Sequence, residues 1–367
     1  MDVSLSLFSF SEPHFHNIPH MKNHITKLLS FICICILPVS CIPGAKETED
    51  VKRQDYFIKG EDNIVLHLRK VSATNSNSTD SYPLLMVHGG GPGVIASFDL
   101  DVPGGSLAAD IARKDIKVYL LNIRGWEKST LPDYDFSDST LVTGSYKEAA
   151  KDINTAIDFI RTQENTEKVS YFGWATGGHW GGYYATKYPE KLAHFISLNS
   201  LYGVDAPWEL KKYFQSEEDS LRYNKQGFFR KSTKDALTRK WTATIPLTDK
   251  EKWRDPRIAD AYAQTAIKLS ALQDTMIVPG GYREESFYMS EGKKYWNARD
   301  IATPSLIIRS ELDFWSRPED IAAIDKDLDI AEKRIVTIPG THYLFLDRAG
   351  NGRDRLIKEI VEFVNNY

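Results

Sequence analysis

The chain has 367 residues, 42% of them hydrophobic, enough for one large core or for a core with an inserted subdomain. A net charge of −4 without any long basic stripe argues against a nucleic-acid binder. The three cysteines, Cys33, Cys35 and Cys41, all lie near the N-terminus, so no internal disulfide or thiolate metal site is expected in the rest of the chain.

The N-terminus reads as a targeting segment. Met21–Lys27 is short and positive, Leu28–Val39 is almost wholly apolar, and polarity rises from Lys46. That is the plan of a secretory signal, and an apolar run of about a dozen residues is too short to span a bilayer comfortably. Its position makes Met21 the expected start and residues 1–20 an upstream extension. Leu37-Pro38-Val39-Ser40-Cys41 resembles a lipoprotein cleavage box with Cys41 as the lipid anchor, although Pro38 stands where an aliphatic residue is usual. Ordinary signal cleavage nearby is the alternative. Either way the protein is expected to be exported: periplasmic, secreted or anchored at the membrane surface. Residues 1–40 are read as extension and signal, and residues 41–55 as a tether.

Tyr56–Lys59 and Asn63–Val71 form an expected hairpin around Gly60-Glu61-Asp62, and residues 73–81 a loop. Leu84–Val87 is a short apolar strand ending at glycines, and Val118–Ile123 another ending at Arg124-Gly125. From Tyr146 the period turns helical, with Ala149, Ile153, Ile157 and Ile160 on one face to about Thr162. Val169–Phe172 is a strand, Gly177–Tyr188 a helix and Phe195–Leu198 a strand. Residues 201–296 break the rhythm and are read as an inserted helical lid without a clear strand. The pattern resumes with strand Leu306–Ile308, helix Pro318–Leu328, strand Arg334–Ile338 and helix Arg355–Val364. Strands alternating with helices predict an α/β fold with a mostly parallel sheet covered on both faces. Its core is divided into 56–200 and 297–367.

Four features carry chemistry. His88-Gly89-Gly90-Gly91-Pro92-Gly93 follows a buried strand, and its glycines let backbone N–H groups approach a substrate carbonyl. Gly173-Trp174-Ala175-Thr176-Gly177-Gly178 lies between strand and helix, the setting of a Gly-x-Ser-x-Gly nucleophile elbow, but with Ala175 where serine is expected. Asp313 follows one late strand and His342 another; Glu311 is a weaker candidate for the acid. Positions 175, 313 and 342 stand in the order nucleophile, acid, histidine.

These residues, with Arg124-Gly125-Trp126-Glu127-Lys128-Ser129 and Gly340-Thr341-His342, resemble the proline-iminopeptidase-like branch of the α/β-hydrolase fold over about residues 55–200 and 297–367. The resemblance implies an acyl-transfer triad in which Asp313 and His342 are acid and base. It implies an oxyanion hole at Gly90, or a neighbour, and the N–H of Thr176. The implied partner is a small ester, amide or short peptide, with no metal or organic cofactor. The chain departs from the family at Asn122-Ile123-Arg124-Gly125-Trp126, where Asp-Gln-Arg-Gly-x is usual, and in a glycine run one residue longer. Proline-specific relatives hold a free amine with acidic lid residues. Glu209, Glu217 and Glu218 would be available, but acidic residues are common on any solvated helix. Trp208, Tyr213, Phe228, Phe229 and Trp241 would either line an apolar pocket or form the lid's own core.

A methyl group cannot attack a carbonyl, so the chain as written is expected to lack acyl-enzyme chemistry. Thr176, one residue along the turn, would point its hydroxyl elsewhere. Ala175 is either a serine replaced by hand or the mark of a natural pseudoenzyme or ligand-binding module.

Overall fold

The computed structural model describes residues 50–75, 81–225, 227–272 and 274–367. The expected signal segment, Cys41, residues 41–49 of the tether and residues 76–80 of the first loop lie outside them. Strand β1 (Val51–Lys59) pairs antiparallel with β2 (Val65–Ala73), from Val51↔Ala73 to Lys59↔Val65. Residues 51–55 are thus sheet, a correction to the expected tether. Their charges suggest solvent, yet each of two finds a partner across the fold. Arg53 donates to Asp99 at 3.0 Å, and Asp55 accepts from Arg69 at 2.7 Å and Lys128 at 2.8 Å.

The chain continues as β3 (Leu84–Val87), α1 (Val94–Phe98), α2 (Leu107–Ala112) and β4 (Val118–Leu121). Next come α3 (Tyr146–Glu164), β5 (Val169–Trp174), α4 (Thr176–Lys187) and β6 (Leu192–Leu198). The order in the eight-stranded sheet is β1-β2-β4-β3-β5-β6-β9-β10, where β9 is Ser305–Leu312 and β10 is Lys333–Thr341. From β4 onward neighbouring strands run parallel. Every residue of β3, β4, β5 and β6 is buried, which requires cover on both faces. Helix α3 starts at a capping box, Ser145 with Glu148, and buries Ala149, Ile153, Ala156, Ile157 and Ile160 as its periodicity demands. Between α3 and β4, Arg124 is wholly buried and held bidentate by Asp152 at 2.6–3.1 Å, which ties the loop after β4 to α3.

The insertion, 201–296, is less helical than expected. It holds α5 (Lys234–Thr244), α6 (Pro256–Lys268) and α7 (Tyr282–Ser290), but also a two-stranded sheet of β7 (Phe229–Ser232) and β8 (Met276–Pro279). Four-residue strands, one of them Phe-Arg-Lys-Ser, are too short and too charged to show a period of two. Trp241 and Tyr262 are buried in this segment and pack on Tyr343 with ring centroids 4.8 and 5.5 Å away. Helix α8 (Pro318–Asp327) and α9 (Arg353–Asn366) complete the chain. Among the described residues no helix is long and apolar enough to cross a membrane.

One carboxylate joins the insertion to the core. Asp347 accepts from Trp241 Nε1 at 2.9 Å, from the Thr341 N–H at 2.8 Å and from Thr341 Oγ1. Burial pushes its carboxyl up to about 6. The folded state therefore holds this proton more tightly than the unfolded chain. The group's contribution to stability is full below about pH 4 and is lost as pH rises through about 6. Relative to D347N, wild type should lose ~3 kcal/mol between pH 4 and pH 7 in urea unfolding followed at each pH. A difference that does not change with pH would show that Asp347 titrates normally.

Candidate active site

Ala175 sits at the turn from β5 into α4 with φ 50° and ψ −113°, a left-handed φ that a residue with a Cβ adopts only under strain, at a cost of about 1–3 kcal/mol. Its N–H donates to Leu198 O at 2.7 Å. The turn closes only because its flanks lack side chains. A Cβ on Gly177 would lie 2.5 Å from His88 O and 2.6 Å from Val87 O, and one on Gly173 would lie 2.3 Å from Gly177 O. The elbow thereby presses directly on the end of β3.

The loop leaving β3 is held by its carbonyls. His88 accepts the Ile123 N–H on Nε2 at 3.2 Å, so its Nδ1 carries the hydrogen and donates to Gly89 O at 2.6 Å. Burial pushes this imidazole down to about 4, so it stays neutral at pH 7. Arg230 Nη1 donates to Gly90 O at 3.3 Å and Trp126 Nε1 to Gly91 O at 2.8 Å. With three successive carbonyls engaged, the N–H groups of Gly90 and Gly91 have no acceptor among the described residues. The N–H of Thr176, first residue of α4, is likewise free. Thr176 Oγ1 is buried without a partner. The loop needs glycine at 90 because Tyr282 from α7 lies over it; a Cβ there would be 2.2 Å from the ring.

The segment that departs from the family pattern builds the surroundings of this loop. Asn122 Oδ1 accepts the Val94 N–H at 2.9 Å, and half-buried Glu127 accepts those of Ile95 and Ala96 at 3.1 Å, so two side chains serve the first turn of α1. Ser129 Oγ donates to Asn122 O at 2.6 Å and accepts the His67 N–H at 2.9 Å.

Asp313 and His342 come together as their order predicts. Asp313 Oδ1 accepts from His342 Nδ1 at 2.6 Å and from the Trp315 N–H at 3.0 Å; Oδ2 accepts from the Ser316 N–H at 2.8 Å and from its hydroxyl. The carboxylate is thus fixed on both oxygens. Its hold on Nδ1–H leaves the Nε2 lone pair of His342 for the cavity. The ring lies between Trp174 and Phe314, at centroid distances of 4.9 and 4.6 Å, and the His342 carbonyl accepts from Trp174 Nε1 and Asn199 Nδ2. Glu311 is exposed and takes no part.

Ala175, Thr176, His342 and the loop Gly89–Gly91 all line one cavity of about 270 Å³. Of Trp208, Tyr213, Phe228, Phe229 and Trp241, to which two roles were open, none lines this cavity; Trp241 is core and Trp208 stacks on Phe214. Glu209, Glu217 and Glu218 are exposed and do not reach the cavity. The residues missed by sequence reasoning are those the insertion contributes, among them Arg230, Lys240, Tyr262, Tyr282 and Arg283. No group of three or more His, Cys, Asp or Glu side chains among the described residues is placed to hold a metal ion.

With the strand order, the elbow and the Asp–His pair established, the comparisons agree. The chain belongs to the alpha/beta hydrolase fold family, whose model matches residues 82–349. Similar solved structures include a thermophilic esterase from Thermogutta terrifontis, at 18% identity and TM-score 0.56 over 84% of this chain and 97% of that one. Naproxen esterase from Bacillus subtilis matches at 14% identity and TM-score 0.53, over 84% and 92%. A laboratory-evolved variant of potato epoxide hydrolase matches at 14% and 0.56, over 86% and 100%. At such identities the likeness is one of fold. No curated protein matches by sequence.

Since the Cβ of G177A would press on two backbone carbonyls, the substitution should destabilise the fold by about 1–3 kcal/mol or more in urea unfolding. Gly350, where an added Cβ meets nothing within 4 Å, is the control, and G350A should stay within about 0.5 kcal/mol.

Proposed function

We propose that the cavity is a serine-hydrolase site in which Ala175 occupies the nucleophile's place. His342 is the base, Asp313 the acid that orients it, and the N–H groups of Gly90 and Thr176 are the oxyanion hole. The observation that carries this reading is that His342, held by Asp313 through a 2.6 Å bond on Nδ1, lines the same cavity as Ala175, which keeps its strained φ of 50°.

With serine at 175, its Oγ would attack an ester or amide carbonyl and pass its proton to His342 Nε2. The oxyanion would form at the free N–H groups. The protonated imidazole would then give its proton to the leaving alcohol or amine, and water would release the acyl group by the same steps. With alanine the cavity retains binding and charge stabilisation but forms no acyl-enzyme, so the chain as written acts as a ligand-binding module. Loss of the nucleophile in a subtilisin-type triad costs about 10⁶ in kcat.

A small ester or amide suits a cavity of about 270 Å³ better than an N-terminal peptide residue. A free amine calls for a carboxylate, and none lines the cavity. The insertion, which supplies Arg230, Tyr262 and Tyr282 to the lining, is the lid of this proposal. Export through residues 21–41 belongs to it as well.

In A175S, hydrolysis of p-nitrophenyl acetate and butyrate should rise by about 10⁴–10⁶ over the chain as written. H342A in the A175S background should remove most of the gain. If A175S stays at the background rate on every short aryl ester and aminoacyl arylamide, the site is not that of a latent hydrolase.

A further inference from the structure

The insertion lines the cavity with cations and gives them no anions. Arg230, Lys231, Lys240 and Arg283 all reach the lining, and no Asp or Glu does. None of the four forms an ion pair among the described residues. Other partly or wholly buried arginines do find carboxylates: Arg53 and Arg69 share Asp99, Arg124 meets Asp152, and Arg317 meets Asp320. The contrast does not come from overall basicity, because the net charge is −4.

Arg230 has three neutral partners. Its Nε donates to Ser232 Oγ at 3.0 Å and its Nη1 to Tyr282 OH at 2.9 Å and Gly90 O at 3.3 Å. Arg283 Nε is buried with no acceptor. Lys240 Nζ lies 5.9 Å from the Phe314 ring centroid, at the wall beside His342. Partly buried cations without counter-ions carry an uncompensated desolvation cost, which an anionic ligand would offset.

We infer that this cavity takes acyl compounds bearing a second, anionic group, a carboxylate in the simplest case, with Arg230 as its anchor. The inference rests on the acyl-transfer reading of the site. The ligand's ester carbonyl lies at Ala175 and its carboxylate at the guanidinium, with Arg283 and Lys240 adding to the field. The neutral acceptors already on Arg230 fix the fork against the glycine loop, so anion binding and loop geometry are linked through one side chain.

The chain as it stands permits a direct test, because Ala175 prevents turnover. Monomethyl esters of succinic, glutaric and adipic acid are titrated calorimetrically against their dimethyl esters. At least one hemiester should bind about tenfold or more tightly than its diester, a preference of the size given by one charge-assisted contact. The preference should fall in 0.5 M NaCl and be lost in R230M. R283M, which leaves the glycine loop untouched, should reduce it in part, so a folding defect in R230M does not decide the matter. Diesters binding as tightly as hemiesters, binding of neither, or an unchanged preference in both variants would overturn the inference. Parallel assays of A175S separate the two readings. Hydrolysis of diesters alone keeps the hydrolase and removes the anion site. Selective hemiester binding without hydrolysis keeps the anion site and removes the hydrolase.

Discussion

The site depends on one close approach. Strands β3 and β5 are neighbours in the sheet, so the loops at their C-terminal ends emerge side by side. Gly177 brings the start of α4 against the carbonyls of Val87 and His88, where any side chain would meet backbone. That contact places Ala175 beside the glycine loop and leaves the N–H of Thr176 exposed at the same cavity. It also fixes the strain. A turn pulled this tight holds residue 175 at positive φ whatever its side chain, and the surrounding sheet sustains the cost.

The glycine loop is positioned from outside itself. Its glycines have no side chains with which to hold a shape. The shape comes from His88 on Gly89 O, Arg230 on Gly90 O and Trp126 on Gly91 O. These donors arise from the end of β3, from β7 of the insertion and from the loop after β4. A carbonyl held on one side turns the N–H of the same peptide to the other, which is how the free donors gain a common direction. Because one of the three clamps is an insertion residue, the insertion and the core set the proposed oxyanion hole together, and Asp347, binding Trp241 and Thr341, locks the two parts behind His342.

Much of this was legible in the sequence, for a physical reason. Parallel strands buried on both faces are continuous apolar runs, and the residues at their C-terminal ends collect on one edge of the sheet. The elbow glycines, the positions at strand ends and the order implied by the family resemblance together therefore singled out Ala175, Asp313 and His342. Helices α1 and α2 were missed because five and six residues show no period, and the first turn of α1 is served by Asn122 and Glu127, distant in sequence. The cationic lining was illegible for a similar reason. Arg230, Lys240 and Arg283 come from three separate elements, and each alone reads as a solvated charge. The insertion's aromatics were open to two roles in the sequence, pocket wall or lid core, and the fold divides them: Trp241 serves as core, while Tyr262 and Tyr282 face the cavity.

The residue at the turn carries the sharpest physical statement about the vacancy. Were position 175 only a tight turn, glycine would satisfy its φ without strain. Alanine keeps the strain and keeps the Cβ, which is what remains of a serine once its Oγ is gone. Around it the Asp313–His342 pair, the free N–H groups and an open cavity are all in place. These features cost stability and yield nothing to a protein that only fills space. On the proposed reading they belong to a site that grips an acyl ligand, and the unpaired cations of the insertion would give that grip a charge preference. On the proposed reading, loss of the attacking atom therefore separates two properties that hydrolases normally exercise together: recognition of the acyl compound persists, while the bond-breaking step awaits an oxygen at position 175.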